Sequence, residues 1–567
     1  MSLTSIISTA SSALTATQTR ISVGNVNVAN ADDLTYTRKS VTTSVATTTV
    51  ALSDATIQRV ADSYLSKTVL KTAAAAAGDT VTDSYMQSYD AALGSTDGGD
   101  DISSLLSAFQ TSLSALSSGA DATSKAQLVS DASDLAQGIK SLSASVQDLR
   151  TQANSQISTT VDTANQTLKT LASLNTQIAT VSAQGGDTTT LEDQRDAALT
   201  TLSGIMGVTS YVTSDNQLRV YTTGGDALLG TTAATLSYTA SSQLGATATY
   251  PGSISGIMLN GKDITTSLDT GELGALVTLR DTTLPAEQDK LDALASTLIT
   301  QVNAVTNAGS AVPAPNTLTS ASTVSASDAF SATGTLRVAV TDSSGKAVST
   351  QDLDLSSYTT VGDLVTALNG ISGLSASIGS DGKLSITATD SANGVALADD
   401  GAGVSAQFGF NNLLTGSTAS DIGVSSSLIS DASTLPTAVM STSSTLAVGG
   451  LALSSGDSTI ADKLSSLMTA SVSFAATGGQ SAKTLSLSSY ATNFVASAAT
   501  MISTASTQSA SSTAANDAAT SRLQNLTAVN IDEELANITQ YQAQYQATAQ
   551  LISIAKDLFD TLVSMVN

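Results

Sequence analysis

Ile538, Tyr545, Ile552, Phe559 and Val566 recur every seven residues through the end of the chain. Tyr541, Ala555 and Leu562 supply a second seam position, and Leu551, Leu558 and Met565 widen the same face. A seven-residue repeat draws one continuous apolar edge along an α-helix, and that edge is stable only against another helix. The opening residues carry a thinner version. Leu3, Ile7, Ala10, Leu14 and Ile21 are spaced alternately by four and three, with Thr17 filling the gap. Both ends are therefore predicted to be helices lying side by side in a coiled coil or helical tube. An ordinary two-helix contact inside one domain is the alternative.

The interior must leave this helical base and return to it. Residues 55–205 read as long helices, with stripes such as Ile102, Leu106, Phe109, Leu113 and Leu116, or Leu135, Ile139, Leu142, Val146 and Leu149. Gly98-Gly99 and Gly185-Gly186 mark turns between them. A further helix is predicted to start near Pro285 and to bury Leu291, Ala295, Leu298 and Val302. Residues 206–280 alternate apolar and polar around glycine and Asp215-Asn216, as strands do. Residues 311–425 repeat that pattern after Pro313 and Pro315, with one short helix at Val361–Leu368. After about 455 the helical reading returns. The expected class is α+β multidomain: a discontinuous helical stem of N- and C-terminal coiled-coil-like helices, carrying β-rich inserted domains.

Composition removes most chemistry. Among 567 residues there is no His, Cys or Trp, so His-based triads, thiol nucleophiles, zinc fingers and disulfides are excluded. A net charge of −25 repels phosphates, which argues against nucleic acid as a partner. Aromatic residues reach only 3%, too few for stacking platforms or aromatic-lined pockets. No apolar run is long enough to span a membrane, and mean hydropathy is only +0.15. The first positive side chain is Arg20, so no Sec-type signal peptide is expected.

The remaining motifs read as structure. Ser343-Ser344-Gly345-Lys346 satisfies S-x-x-K but sits between two strands, where a hairpin turn is the better account. Asp97-Gly98-Gly99-Asp100-Asp101 and Asp532-Glu533-Glu534 precede or open helices, where the dipole favours acids. Asn165-Gln166-Thr167 and Asn537-Ile538-Thr539 match a glycosylation acceptor but fall inside helices. No catalytic residue, metal site or cofactor is expected.

Ser22-Val23-Gly24-Asn25-Val26-Asn27-Val28-Ala29-Asn30-Ala31, followed by Tyr36-Thr37-Arg38, resembles the segment after the first helix in flagellar axial proteins. That family comprises rod, hook and hook-associated proteins. Val529-Asn530-Ile531-Asp532-Glu533-Glu534-Leu535-Ala536-Asn537 and Tyr541-Gln542-Ala543-Gln544-Tyr545-Gln546-Ala547 resemble its C-terminal signature, which Ile552 through Leu562 continue. Arg38 after Tyr-Thr, Leu191-Glu192-Asp193-Gln194-Arg195-Asp196 and Thr270-Gly271-Glu272-Leu273-Gly274-Ala275-Leu276 are similar to the hook-associated members in particular. Asp33-Leu34-Thr35 stands where the family usually ends in glycine before Tyr, and Thr35 tolerates positive φ poorly.

The resemblance implies a structural component of the bacterial flagellum at the hook–filament junction, outside the cell and exported through the flagellar type III apparatus. Hook protein or flagellin, or a secreted adhesin, are the alternatives. It implies a homo-oligomer in a helical or ring assembly that contacts hook protein and an adjacent hook-associated junction protein. A cytoplasmic export chaperone is expected on the C-terminal helix. The expected division is 1–60 with 520–567 as a terminal core, 61–205 with 281–310 and 450–519 as a long-helix stem, 206–280 as a β-rich segment and 311–425 as an inserted domain. The expected assembly interface is Leu3, Ile7, Leu14, Ile21, Tyr36, Arg38, Ile538, Tyr541, Tyr545, Ile552, Phe559, Leu562 and Val566.

Overall fold

A computed structural model describes residues 3–43, 55–95, 98–400 and 403–566; the side chains of Leu3 and Val566 lie outside the described residues. Helix α1 (Leu3–Ala29) leads into a short antiparallel ribbon, β1 (Lys39–Thr42) and β2 (Thr56–Arg59). Four helices follow: α2 (Ser63–Leu93), α3 (Ile102–Ser118), α4 (Ala122–Ala183) and α5 (Thr189–Ile205). Each of the first three starts where an aspartate accepts backbone N–H groups of the first turn: Asp62 for α2, Asp101 for α3 and Asp121 for α4. At 62 residues, α4 is about 93 Å long at 1.5 Å per residue. It buries one unbroken stripe from Leu128 through Leu142, Ile157 and Leu171 to Ile178.

Two small three-stranded sheets lie along α4: β3 (Val208–Val212), β4 (Leu218–Thr222) and β5 (Ala227–Leu229), then β6 (Leu236–Ser237), β7 (Met258–Leu259) and β8 (Lys262–Asp263). Their backbones are tied to the helix by amide side chains. Asn165 donates to the Leu236 carbonyl at 2.8 Å and accepts from its N–H at 2.8 Å. Asn175 does the same for Leu218, at 2.9 and 3.0 Å. Each amide stands in for a neighbouring strand, satisfying both polar groups of one residue. The Asn165 glycosylation match is thus an occupied structural side chain. Helices α6 (Gly271–Thr278) and α7 (Leu284–Thr306) return the chain to the stem, with Pro285 in the first turn of α7.

The insert is built from two further sheets. β9 (Thr317–Thr323) pairs with β13 (Lys383–Ala388), which also pairs with β12 (Leu374–Ile378). β10 (Thr335–Thr341) lies between β11 (Ala347–Asp354) and β14 (Gly394–Asp400). Helix α8 (Val361–Asn369) has a capping box between Thr360 and Asp363 and covers this core. The S-x-x-K match is the β10–β11 turn, with Asp342 accepting from Ser344 and Lys346 and Gly345 at φ +81°.

The last residues of the expected 311–425 insert pack partly outside its own core. Phe408, in α9 (Val404–Phe408), packs with Phe330 and Phe410. From Leu413 to Leu435 the buried apolar side chains of the helical cluster include Leu414, Ile422, Val424 and Leu428. Strands β15 (Leu414–Thr415) and β16 (Gly423–Val424) are too short to build a core of their own. They lean on α7 and α4, and Asn303 of α7 pairs with both backbone groups of Leu414. After α10 (Ser426–Ser430), Ala438, Met440, Ala452 and Leu453 cover the far face of the β10 sheet. Helix α11 (Thr459–Leu467) then leads to an unexpected hairpin, β17 (Val472–Phe474) and β18 (Lys483–Leu485). Its Phe474 stacks on Tyr490 at 3.9 Å between ring centroids. The chain closes with α12 (Leu487–Thr527), which packs along α2, and α13 (Ile531–Val566).

Turn and cap aspartates dominate the acid response. Hydrogen bonds from neighbouring N–H and O–H groups hold Asp121, Asp215, Asp342 and Asp363 below the usual carboxylate value of 3.8. A depressed folded-state pKa contributes stability that is present above the unfolded value and lost as pH falls through the folded one. Burial pushes Asp193, Asp292 and Asp399 the other way and offsets part of the loss. Urea midpoints measured from pH 7 down to pH 2 are expected to hold until about 4 and then fall. A midpoint that rises below pH 4 contradicts this account of the turns.

Candidate assembly interface

The terminal helices run antiparallel. Gly24 of α1 lies so close to α13 that a Cβ there meets Ile538 Cγ1 at 2.8 Å. Arg20, one turn earlier, sits over the Tyr541 ring at 5.7 Å, one turn later. Ile538 and Ala555 are buried, while Ile7, Leu14, Ile21, Tyr541, Tyr545 and Ile552 are half-buried. The pair therefore covers only part of the apolar edge of α13. Extending the same register places the start of α1 opposite the neighbourhood of Phe559. Beyond that, Phe559 is 50% exposed and Leu562 is 56% exposed. Leu551, Ile554, Leu558, Leu562 and Met565 form one exposed stripe at helical spacing.

The loop after α1 is pinned back onto it by one amide. Asn27, fully buried, donates to the Lys39 carbonyl at 2.9 Å and accepts from the Lys39 N–H at 3.1 Å and the Tyr36 hydroxyl at 2.8 Å. Burial, with the charges of Asp193, Asp187 and Glu534, pushes the Tyr36 hydroxyl well above its usual pKa, so it stays protonated and donating. Tyr36 is therefore placed inside the chain and does not face outward as expected for a contact between subunits. Its aromatic face carries the Lys39 ammonium at 4.5 Å. Thr35 needs no positive φ: the Asp33 carboxylate accepts its N–H at 2.9 Å and its hydroxyl at 2.7 Å. An Asx-type turn replaces the glycine. Arg38 pairs across the α12–α13 connection with Glu533 at 3.2 Å, and its N–H donates to the Thr527 carbonyl.

Asn27→Ala is expected to leave the Tyr36 hydroxyl and both Lys39 backbone groups without partners. At about 1–3 kcal/mol for each unsatisfied buried group, a loss of several kcal/mol follows. The measurement is a denaturant titration alongside cysteine labelling of the 31–39 loop. An unchanged midpoint refutes the pin.

The terminal core is joined to the stem by α5. Glu192, Asp193 and Asp196 surround the half-buried Arg59 of β2, at 3.0, 3.2 and 2.7 Å. Asp193 also accepts the Thr37 hydroxyl at 2.6 Å and lies 3.9 Å from Lys39. Burial pushes Asp193 above the usual carboxylate range despite these partners. Burial also opposes ionisation of Glu192, but hydrogen bonds from Asn216 and Thr188, with Arg59, hold it below that range. Arg195 points to the other side of α5, donating to the carbonyl and side chain of Asn216 in the β3–β4 turn. One short acidic–basic segment thus joins the ribbon after α1 to the first sheet. Thr37, Lys39 and Arg59 carry this joint, and no periodicity marks them. Among the described residues, no group of acids is arranged to hold a metal ion, and no helix is long and apolar enough to cross a membrane.

Two protein families match parts of this chain. Residues 86–315 match the family "Flagellar hook-associated protein FlgK helical domain", which takes in α3 through α7. Residues 525–565 match "Flagellar basal body rod FlgEFG protein C-terminal", the span of α13. Flagellar hook-associated protein 1 of Escherichia coli is 26% identical over 319 residues, covering 54% of this chain and 58% of that protein. The Salmonella typhimurium protein of the same name is 27% identical over 316 residues, covering 53% of this chain and 56% of its own length. The chain thus matches a little over half the length of these relatives. A solved structure of the flagellar hook junction protein FlgK from Burkholderia pseudomallei is 18% identical, with a TM-score of 0.49, covering 81% of this chain and 100% of that one. The stem of this chain is thus similar to the FlgK helical-domain family, and its last helix to the rod-type C-terminal family.

Proposed function

We propose that the protein is a structural component of the bacterial flagellum at the junction between hook and filament. The observation that carries this reading is the exposed stripe on the last turns of α13, which this chain's own helix α1 does not cover. Removing such a stripe from water requires a neighbour, and copies of the same helix pair arranged in a tube supply one. The terminal pair is the inner core of that assembly, α2 to α7 with α11 and α12 are its stem, and residues 311–410 project as an insert. Hook protein on one side and a second hook-associated junction protein on the other are the proposed partners. Before export by the flagellar type III route, a cytoplasmic chaperone shields the same stripe.

The chain has no cysteine, so Ser327→Cys in the insert gives a single labelling site. Fluorescent maleimide on intact cells is expected to mark one collar between hook and filament. Label along the whole filament or hook transfers the protein to another axial position, and unlabelled flagella overturn the assembly reading.

A further inference from the structure

Leu34 stands at the tip of the loop after α1 and is 78% exposed, although Asn27 and Asp33 hold that loop rigidly. A leucine held out by a built turn forgoes about 1.5–3 kcal/mol of burial in the free chain. It is flanked by the exposed acids Asp32 and Asp33. On the same stretch of α2 whose Ser66, Val69 and Leu70 share a cavity with Leu34, a second, largely apolar groove of about 420 Å³ lies between α2 and the β3–β4 hairpin, floored by Leu70, Ala74 and Val208. Its rim carries Lys67 and Lys71, one helical turn apart on α2. Both lysines are exposed, and neither makes an ion pair among the described residues. On a chain of net charge −25, an acid-flanked leucine and a lysine-rimmed apolar groove are complementary in apolar character and in sign.

We propose that Leu34 of one copy docks into the Lys67–Lys71 groove of the next, with Asp32 and Asp33 facing the two lysines. This inference rests on the assembly reading above and names a contact within it. The knob and the groove are different patches, so the contact is heterologous, and repeating it builds a ring or a helix.

The test uses the full-length chain with Leu34→Cys and Ser210→Cys, the latter on the groove's far wall, in a background without native cysteine. Flagella are isolated from cells making this variant, oxidised, and run on a non-reducing gel. A ladder of cross-linked copies is expected from the double variant and from neither single variant. Incorporation without a ladder overturns the docking contact and leaves the assembly reading standing. Failure of the unmodified chain to enter flagella overturns both. As a second measurement, Lys67→Glu with Lys71→Glu is expected to lower incorporation by about tenfold, as a hot-spot contact does. Adding Asp32→Lys is expected to restore part of it. Full incorporation of the lysine-reversed chain also overturns the contact.

Discussion

Aspartate at both Ile552 and Phe559 is expected to leave the stem and the insert folded and to abolish incorporation into flagella. Phe559 is half-exposed and Ile552 half-buried in the free chain, so neither belongs to the core that runs from α2 to α12. Under the proposed assembly both side chains would enter the seam between copies. Losing their burial removes about 1.5–3 kcal/mol each, before the penalty for a charge placed in an apolar seam. Together these exceed about 3 kcal/mol, more than roughly a hundredfold in association. Immunoblots of purified flagella and of culture supernatant read the effect, with a urea titration to show that the core persists. Normal incorporation refutes the role given to α13.

The second large effect is expected inside the chain, at Arg59→Ala. Removing this guanidinium leaves Glu192, Asp193 and Asp196 close together, with Lys39 at 3.9 Å from Asp193 and the Arg195 charge near Glu192 and Asp196 as the remaining compensation. Glu192 and Asp193 are largely buried but Asp196 is 42% exposed, so the loss is expected toward the low end of the about 3–5 kcal/mol that breaking a buried pair from one side costs. Arg59→Lys keeps the charge but cannot reach all three carboxylates, so an intermediate loss is expected. The difference between wild type and Arg59→Ala should shrink as pH falls into the carboxylate range, since protonated acids need no counter-charge. Denaturant titrations at pH 7 and pH 4 measure both points. A loss under about 1 kcal/mol reduces the network to an ordinary surface ion pair.

Most of the elements were legible, because each rests on chemistry within a few residues. The seven-residue edge announces α13, Pro285 opens α7, and the Asp342–Gly345 turn separates β10 from β11. The packing of residues 413–424 was not legible, for the opposite reason. Residues 413–424 have strand-like composition, and only their packing on α4 and α7 assigns them to the helical core. The β17–β18 hairpin was hidden by its brevity, with three residues in each strand. Asn165, Asn175 and Asn303 gave no signal, since an amide on a helix looks the same whether it meets water or a strand edge.

What the residues alone determined is local or categorical. Helical ends follow from periodicity, turns from Gly and Asp, and the lack of His and Cys excludes whole classes of chemistry. The tertiary structure decided which of those surfaces are used. It turned Tyr36 inward onto Asn27, and it brought Arg59 to Asp193, 134 residues away. It also left the last turns of α13 without a cover. Contacts of that range depend on how separate elements are brought together, and no short window of sequence carries that information.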